Sequence, residues 1–518
     1  MSAFVLGVDI GTTSTKAVLF DTSGGILAQS NVEYPLLSPV PFAAEQDPDQ
    51  ILRAVMKAVR TSLEKSVEAA GGPAAGEGLL CVAFSAAMHS LIAMDKVGNP
   101  LTQCITWADN RSAAWARRLK EELGGHDIYM RTGTPIHPMS PLPKLLWLRD
   151  TKPDVFAAAA RFISIKEYVL YRLFGRYVVD WSIASASGLF NMAALDWDSG
   201  ALAVAGIDRS RLSELVPPTF ALRGLNAGAA AEMRLSPDTP FIVGANDGAL
   251  SNLGLAAIAP GVVAVSLGTS GAVRTVTSQP RPDPQERTFC YALTASHWVV
   301  GGPVNNGGMV FRWIRDELAT AESETARRLG LDPYDVLTKI AERVPAGSEG
   351  LIFHPYLAGE RAPLWNANAR GSFFGLAMHH RKEHMIRAAL EGVMFNLYSV
   401  LLSVERVTGP AARIEATGGF ARSPLWRQMM ADVFNREVHI PESHESSCLG
   451  AAVLGLYAME RISSIEAVSG MVGSLHRHRP EPEQVRRYAA LLPIFLDLPA
   501  QLHEQYERIA AAQGELLR

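Results

Sequence analysis

The sequence predicts an α/β protein of two large domains, and three observations point there. The chain has 518 residues, too many for one ordinary hydrophobic core. Strand-like and helix-like stretches alternate along it. A strand, Gly-Thr turn, strand pattern near the start returns near the middle, where a duplicated domain would begin.

The first copy is Phe4 to Leu19, FVLGVDIGTTSTKAVL, and the second is Val262 to Val276, VVAVSLGTSGAVRTV. Each reads as an apolar strand, a turn of small polar residues and a second β-branched strand. Between them, helical periodicity runs over Ile51 to Ala70, Trp115 to Leu123, Pro141 to Arg149 and Ile165 to Phe174, with a buried strand at Leu79 to Phe84. The second half repeats the style. Trp298 to Gly301 and Arg413 to Thr417 read as strands, and Met309 to Leu318, Met385 to Val407 and Leu449 to Met459 as helices. The stretch Glu481 to Arg518 reads as peripheral helix. The boundary is expected near Gly248 to Gly261, giving domains 1–248 and 249–518. Low-complexity linkers are absent, so the domains are expected to pack together around a cleft.

Composition excludes several classes. Hydrophobic residues make up 48% and charged residues 19%, which is globular rather than disordered. A net charge of −4 and a pI near 6.4 give no basic field for nucleic acid or an anionic membrane. The four cysteines, Cys81, Cys104, Cys290 and Cys448, have no paired spacing and read as reduced, buried thiols. No signal peptide and no charge-free run of membrane length is seen. A cytoplasmic soluble enzyme is expected, with a homodimer compatible.

The chemistry sits at glycine-polar turns. Asp9 ends a buried strand and precedes Gly11-Thr12-Thr13-Ser14-Thr15-Lys16. Such a turn can aim hydroxyls and backbone N–H groups at a phosphate, with the carboxylate holding Mg²⁺. Taken alone, an ordinary hairpin with a capping Asp explains it equally well. The turn is neither a Walker A loop nor G-x-G-x-x-G, which removes P-loop and dehydrogenase readings. Gly268-Thr269-Ser270-Gly271 offers a matching set of donors, and Gly418-Gly419 after a strand is a third point of close backbone approach. Three such turns in this order are far less expected by accident than any one.

This order resembles the fold shared by sugar kinases, actin and heat-shock ATPases, with two phosphate hairpins and a later adenosine turn. Met139-Ser140-Pro141-Leu142-Pro143-Lys144-Leu145-Leu146-Trp147 resembles the first signature of the FGGY carbohydrate kinases. The run from Gly350 through Gly359-Glu360-Arg361 to Trp365, continuing at Gly371 to Leu376, resembles the second. Phe373-Phe374-Gly375-Leu376 departs from the letters that name the family but keeps its apolar character. The resemblance spans Val5 to about Gly455. It implies two actin-like (ribonuclease H-like) domains with a catalytic cleft between them, ATP as phosphoryl donor, Mg²⁺, and a small sugar or sugar acid as acceptor.

Residue by residue, the resemblance makes Asp247 in Gly244-Ala245-Asn246-Asp247-Gly248 the catalytic base. It assigns Thr12, Thr13, Ser14 and Lys16 to the first phosphate hairpin, Thr269 to the second, and Asp9 to the metal. Gly308 and Arg312 fall at nucleotide contacts, and Gly418, Gly419 and Ser423 in the adenosine turn; an exposed helix residue and a helix cap are the plain readings of Arg312 and Ser423. Met88 and His89 match an acceptor-binding pair, and Trp107 with Asp109 and Arg111 a second acceptor loop suited to vicinal hydroxyls. The stretches Ser85 to Ser90, Ile105 to Arg111 and Gly133 to Pro141 look like the gluconate kinases, with xylulose and other polyol kinases as near neighbours. An actin-type ATPase would need no sugar-binding loops, and a regulator that has lost catalysis would not be expected to keep Asp9, Asp247 and both hairpins.

Overall fold

A computed structural model describes residues 3–70, 78–442 and 445–516. The chain forms two compact units. The first comprises Met1–Ala259, Val276–Val300 and Glu445–Gly473, and the second Pro260–Thr275, Gly301–His444 and Ser474–Arg518. The units are therefore not simply the two halves of the chain, because two later segments belong to the first.

In the first unit, β1 (Phe4–Ile10), β2 (Ser14–Asp21) and β3 (Ile26–Glu33) form an antiparallel meander. Parallel to β1 lies β4 (Leu79–Ala86), and parallel to β4 lies β6 (Phe241–Asn246), with the short β5 (Ala221–Leu222) outside it. The sheet order is β5–β6–β4–β1–β2–β3. Helix α1 (Pro48–Ala70) covers one face because Ile51, Val55, Ala58, Val59 and Leu63 recur at helical spacing and are all buried. On the other face, α5 (Asp247–Gly254) packs against a later helix, Ser446–Ala458, whose small residues let backbones approach closely.

The second unit repeats the plan. Antiparallel β7 (Val262–Leu267) and β8 (Gly271–Thr277) are followed across the sheet by β10 (Arg413–Thr417) and β11 (Glu437–Pro441), both parallel. The sheet has seven strands: Phe289–Thr294 forms one edge, followed by β9 (His297–Val304), β8, β7, β10, β11 and, at the other edge, β12 (Ser474–His478). In both units the first strand of the Gly-Thr hairpin is thus followed by two strands parallel to it, β4 and β6 in the first unit and β10 and β11 in the second. These are the mixed sheets of the actin-like fold expected from the sequence. Among the described residues one helix, Lys382–Thr408, is long and apolar enough to cross a membrane; most of its apolar stretch is buried in the second unit's core.

The elements read from the sequence are present with shifted ends. The helix expected over Met309 to Leu318 is α-helical only over Gly308–Trp313 and widens to a π turn at Ile314–Leu318. The C-terminal stretch forms two helices, Pro482–Gln501 and His503–Leu516, and residues 517–518 lie outside the described residues. All four cysteines are buried free thiols.

The first unit also contains helices α2 (Pro141–Thr151), α3 (Ile165–Phe174) and α4 (Trp181–Ser185). Ser164 and Glu167 close α3 with a capping box, the Glu167 carboxylate accepting the Ser164 N–H at 2.6 Å. Burial pushes the Glu167 carboxyl up to about 7 against the opposing hydrogen bonds of Ser164 and Ser213. The folded protein therefore keeps a proton that the unfolded chain, with its ordinary value of 4.5, has already lost. This contribution to stability is fully present below that ordinary value and is lost as pH rises through about 7. Glu167→Gln keeps the cap and cannot ionise, so its melting temperature should fall less than the wild-type's between pH 5 and pH 8. Identical pH dependence in calorimetry of both proteins would refute this assignment.

Candidate active site

In the first unit the hairpin between β1 and β2 is closed by the Gly11 N–H to the Ser14 carbonyl at 2.9 Å. Asp9 stands at the end of β1, and its carboxylate accepts the Ser85 hydroxyl at 2.7 Å. Burial holds the Asp9 carboxyl above the usual carboxylate range, while Ser85 and the Lys16 charge pull it back. Thr13 is exposed at the tip and Ser14 begins β2. The Thr12 hydroxyl accepts the Trp107 indole N–H at 2.8 Å and keeps its own proton to donate. That bond joins the phosphate hairpin to the acceptor loop. Lys16 is paired with Glu445 at 2.8 Å, so its ammonium is already matched by a carboxylate that is distant in sequence.

Of the residues expected at the acceptor, Met88 and His89 follow the C-terminal end of β4. Met88 packs against the core, and His89 takes a left-handed φ of 69°. Its Nδ1 lies 2.7 Å from the Ala186 carbonyl, which fixes the proton on Nδ1, and its ring meets Tyr291 edge-on at 5.8 Å. Asp109 and Arg111 are adjacent. Asp109 is 1% exposed, and its oxygens accept the Ala44 N–H at 3.0 Å, the Arg111 N–H at 3.1 Å and the Arg111 Nε at 2.9 Å. In this arrangement the Asp109 carboxylate holds the loop and orients Arg111. The Arg111 guanidinium also pairs with Glu45 and lies over the Trp147 ring at 4.6 Å.

Asp247 opens α5 directly after β6. Asn246 caps the helix, its side chain accepting the Ala249 N–H at 2.8 Å, while Asp247 accepts the Gly248 N–H at 2.7 Å. A carboxylate in the first turn is favoured by the helix dipole. The strand is re-aimed just before it, where the β4–β6 register slips between Ile242 and Ala245. Gly244 permits this with a φ of 73°, since a Cβ there would lie 1.6 Å from the Phe84 carbonyl oxygen. Underneath, Lys166 and Asp180 form an ion pair at 2.5 Å, 1% and 0% exposed, and Lys166 also reaches the Ala245 carbonyl at 3.3 Å. Ser182 on α4 bonds the Asn246 side chain at 2.7 Å. None of Glu45, Lys166, Asp180 and Asn246 was singled out from the sequence for this role; each owes its partner to the fold.

The second-unit residues expected at the nucleotide lie near the end of β7. The Thr269 carbonyl accepts the Gly307 and Met309 N–H groups at 3.2 and 3.1 Å, and the Gly268 carbonyl accepts Gly308 N–H at 2.7 Å. Gly418, at a φ of 117°, crosses the same strand end so closely that a Cβ would sit 2.2 Å from the Leu267 carbonyl oxygen. Thr269 and Gly419 are exposed there. Arg312 is exposed on the Gly308–Trp313 helix, and the Ser423 hydroxyl accepts the Trp426 N–H at 3.3 Å as a helix cap, the plainer of its two readings. The second signature folds on itself, Ile352–His354 pairing with Ser372–Phe374. Its Glu360 is buried and accepts the Asn305 N–H at 2.5 Å and the Asn306 side chain at 3.0 Å, which sets the turn leading to Gly307 and Gly308. No group of three metal-ligating side chains is present among the described residues. Mg²⁺ takes one or two carboxylates and completes its shell with phosphates and water, so such a group is not required at the Asp9 site that the resemblance implies.

The chain matches the FGGY family of carbohydrate kinases over its whole catalytic length, the N-terminal domain over residues 4–254 and the C-terminal domain over residues 263–459. It belongs to that family. It is 55% identical to a gluconokinase of Bacillus licheniformis over 517 residues, covering 100% of this chain and 99% of that one. Two solved structures from Lactobacillus acidophilus superpose with a TM-score of 0.92. One is described as a gluconate kinase, at 35% identity, and the other as a ligand-bound xylulose kinase, at 36%; each covers 98% of this chain and 100% of its own.

Proposed function

We propose that the protein transfers the terminal phosphoryl group of ATP to D-gluconate, giving 6-phospho-D-gluconate. The observation that carries this is the 55% identity with a gluconokinase along the full chain, joined to a first unit that presents a base beside acceptor loops. In this reading residues 1–248 supply the acceptor site and first phosphate hairpin, and 249–518 the second hairpin and adenosine turn. Asp247 accepts the proton of the attacking hydroxyl. Thr12, Thr13, Ser14 and Lys16, with Thr269, Gly308 and Arg312, hold the phosphates, and Gly418, Gly419 and Ser423 flank the adenosine. Met88, His89 and Arg111 face the acceptor, with Asp109 orienting Arg111. Asp9 would hold Mg²⁺, which supplies charge neutralisation on the phosphates. The substrates are small molecules, with no nucleic acid or membrane involved; a cytoplasmic location accompanies the reading, and a homodimer is compatible with it.

Xylulose is the second reading, favoured by the structural match at 36% identity. ADP release measured with gluconate, xylulose, glycerol and water separates them. Gluconate should give the highest kcat/KM, and water the lowest rate. A better rate with xylulose would discard gluconate and keep the kinase.

A further inference from the structure

Helix α2 carries a lysine where its periphery is otherwise apolar. Leu142, Leu145, Leu146 and Leu148 around it are buried, and Lys144 itself is 0% exposed. A buried ammonium is costly unless its donors are satisfied. Here all three have acceptors. Lys144 Nζ donates to the carbonyls of His89 at 2.7 Å, Thr106 at 2.8 Å and Met139 at 2.6 Å. Those carbonyls belong to three separate loops. One carries Met88 and His89, the second runs from Thr106 through Trp107 to Arg111, and the third is the Gly133 to Ser140 stretch leading into α2.

We propose that Lys144 is a positioning residue of the acceptor site, its ammonium tying the three loops to one point and thereby setting the spacing of His89, Trp107 and Arg111. It has no exposed surface and so acts only through the loops. Local side-chain bonds hold parts of the same loops, such as His89 to Ala186 and Trp107 to Thr12, but Lys144 joins all three. Burial pushes the Lys144 ammonium down to about 7, with the Asp109 charge opposing and the Arg111 charge adding to it. The three carbonyls satisfy its donors inside this buried site.

The proposal rests on reading these loops as the acceptor site, and the test keeps the two apart. Lys144→Met removes the donors at similar length, and Lys144→Gln retains two. Steady-state constants are measured for acceptor and ATP, alongside Arg111→Gln. Lys144→Met should raise the acceptor KM by roughly ten- to a hundredfold, the order expected when charged hydrogen bonds are lost, with the ATP KM within about twofold. Lys144→Gln should fall between. If Lys144→Met does not fold, hydrogen exchange of Lys144→Gln serves: peptides from all three loops should exchange faster than wild-type while second-unit peptides do not. An unchanged acceptor KM in Lys144→Met while Arg111→Gln raises it overturns the proposal alone. An acceptor KM indifferent to both substitutions overturns the loop assignment with it. Equal rises in both KM values, or faster exchange throughout the chain, would mark Lys144 as a general stability residue and overturn it too.

Discussion

Asp247→Asn is expected to lower turnover by roughly two to four orders of magnitude, with ATP affinity nearly unchanged. The substitution keeps the size of the side chain and its bond to the Gly248 N–H, so the loss isolates the missing base. Two features favour negative charge at Asp247. It sits in the first turn of α5, where the helix dipole favours an anion, and the Lys166 ammonium lies within electrostatic reach beneath it. Asn246 and Ser182 hold the strand end from which Asp247 projects. Near-normal turnover in Asp247→Asn, measured by single-turnover phosphoryl transfer, would remove Asp247 as the base.

Much of this architecture is legible because it is local. The Gly-Thr hairpins announce themselves by β-branched strands on either side of a small polar turn. Helix α3 begins after Ser164 and ends at Gly175, whose left-handed backbone stops it. Other features are written in distant parts of the chain and leave no periodic trace. The Lys16 partner is Glu445, 429 residues away, and the segment Glu445–Gly473 returns to the first unit. Lys144 and Glu360 stand inside recognised signatures, yet Lys144 bonds three backbone carbonyls and Glu360 bonds Asn305, Asn306 and Asn396, partners that a sequence does not show. The bond from the Ala44 N–H to Asp109 is of the same kind, since only the fold brings Ala44 there.

The surroundings of Arg111 change what its loss should do. Gluconate differs from neutral sugars by a carboxylate, and a guanidinium can hold one through two parallel bonds. In the structure, however, Arg111 already lies between Asp109 and Glu45. Arg111→Gln would leave those two carboxylates without their shared cation, one of them almost wholly buried, and would turn the loop into a negative surface facing an anionic acceptor. Losing one partner of a desolvated charge pair costs about 2–5 kcal/mol, so the gluconate KM should rise by roughly thirty- to several thousandfold. A neutral sugar meets no such repulsion and should lose less. The cause can be separated with a second substitution. Adding Glu45→Gln to Arg111→Gln removes one unmatched charge, and should recover part of the gluconate affinity if repulsion dominates. If the double variant binds gluconate no better than the single one, Arg111 grips the carboxylate directly. If Arg111→Gln alone leaves the gluconate KM within about twofold of wild-type, a shift too small for a lost charge pair, this loop does not read the acceptor's charge at all.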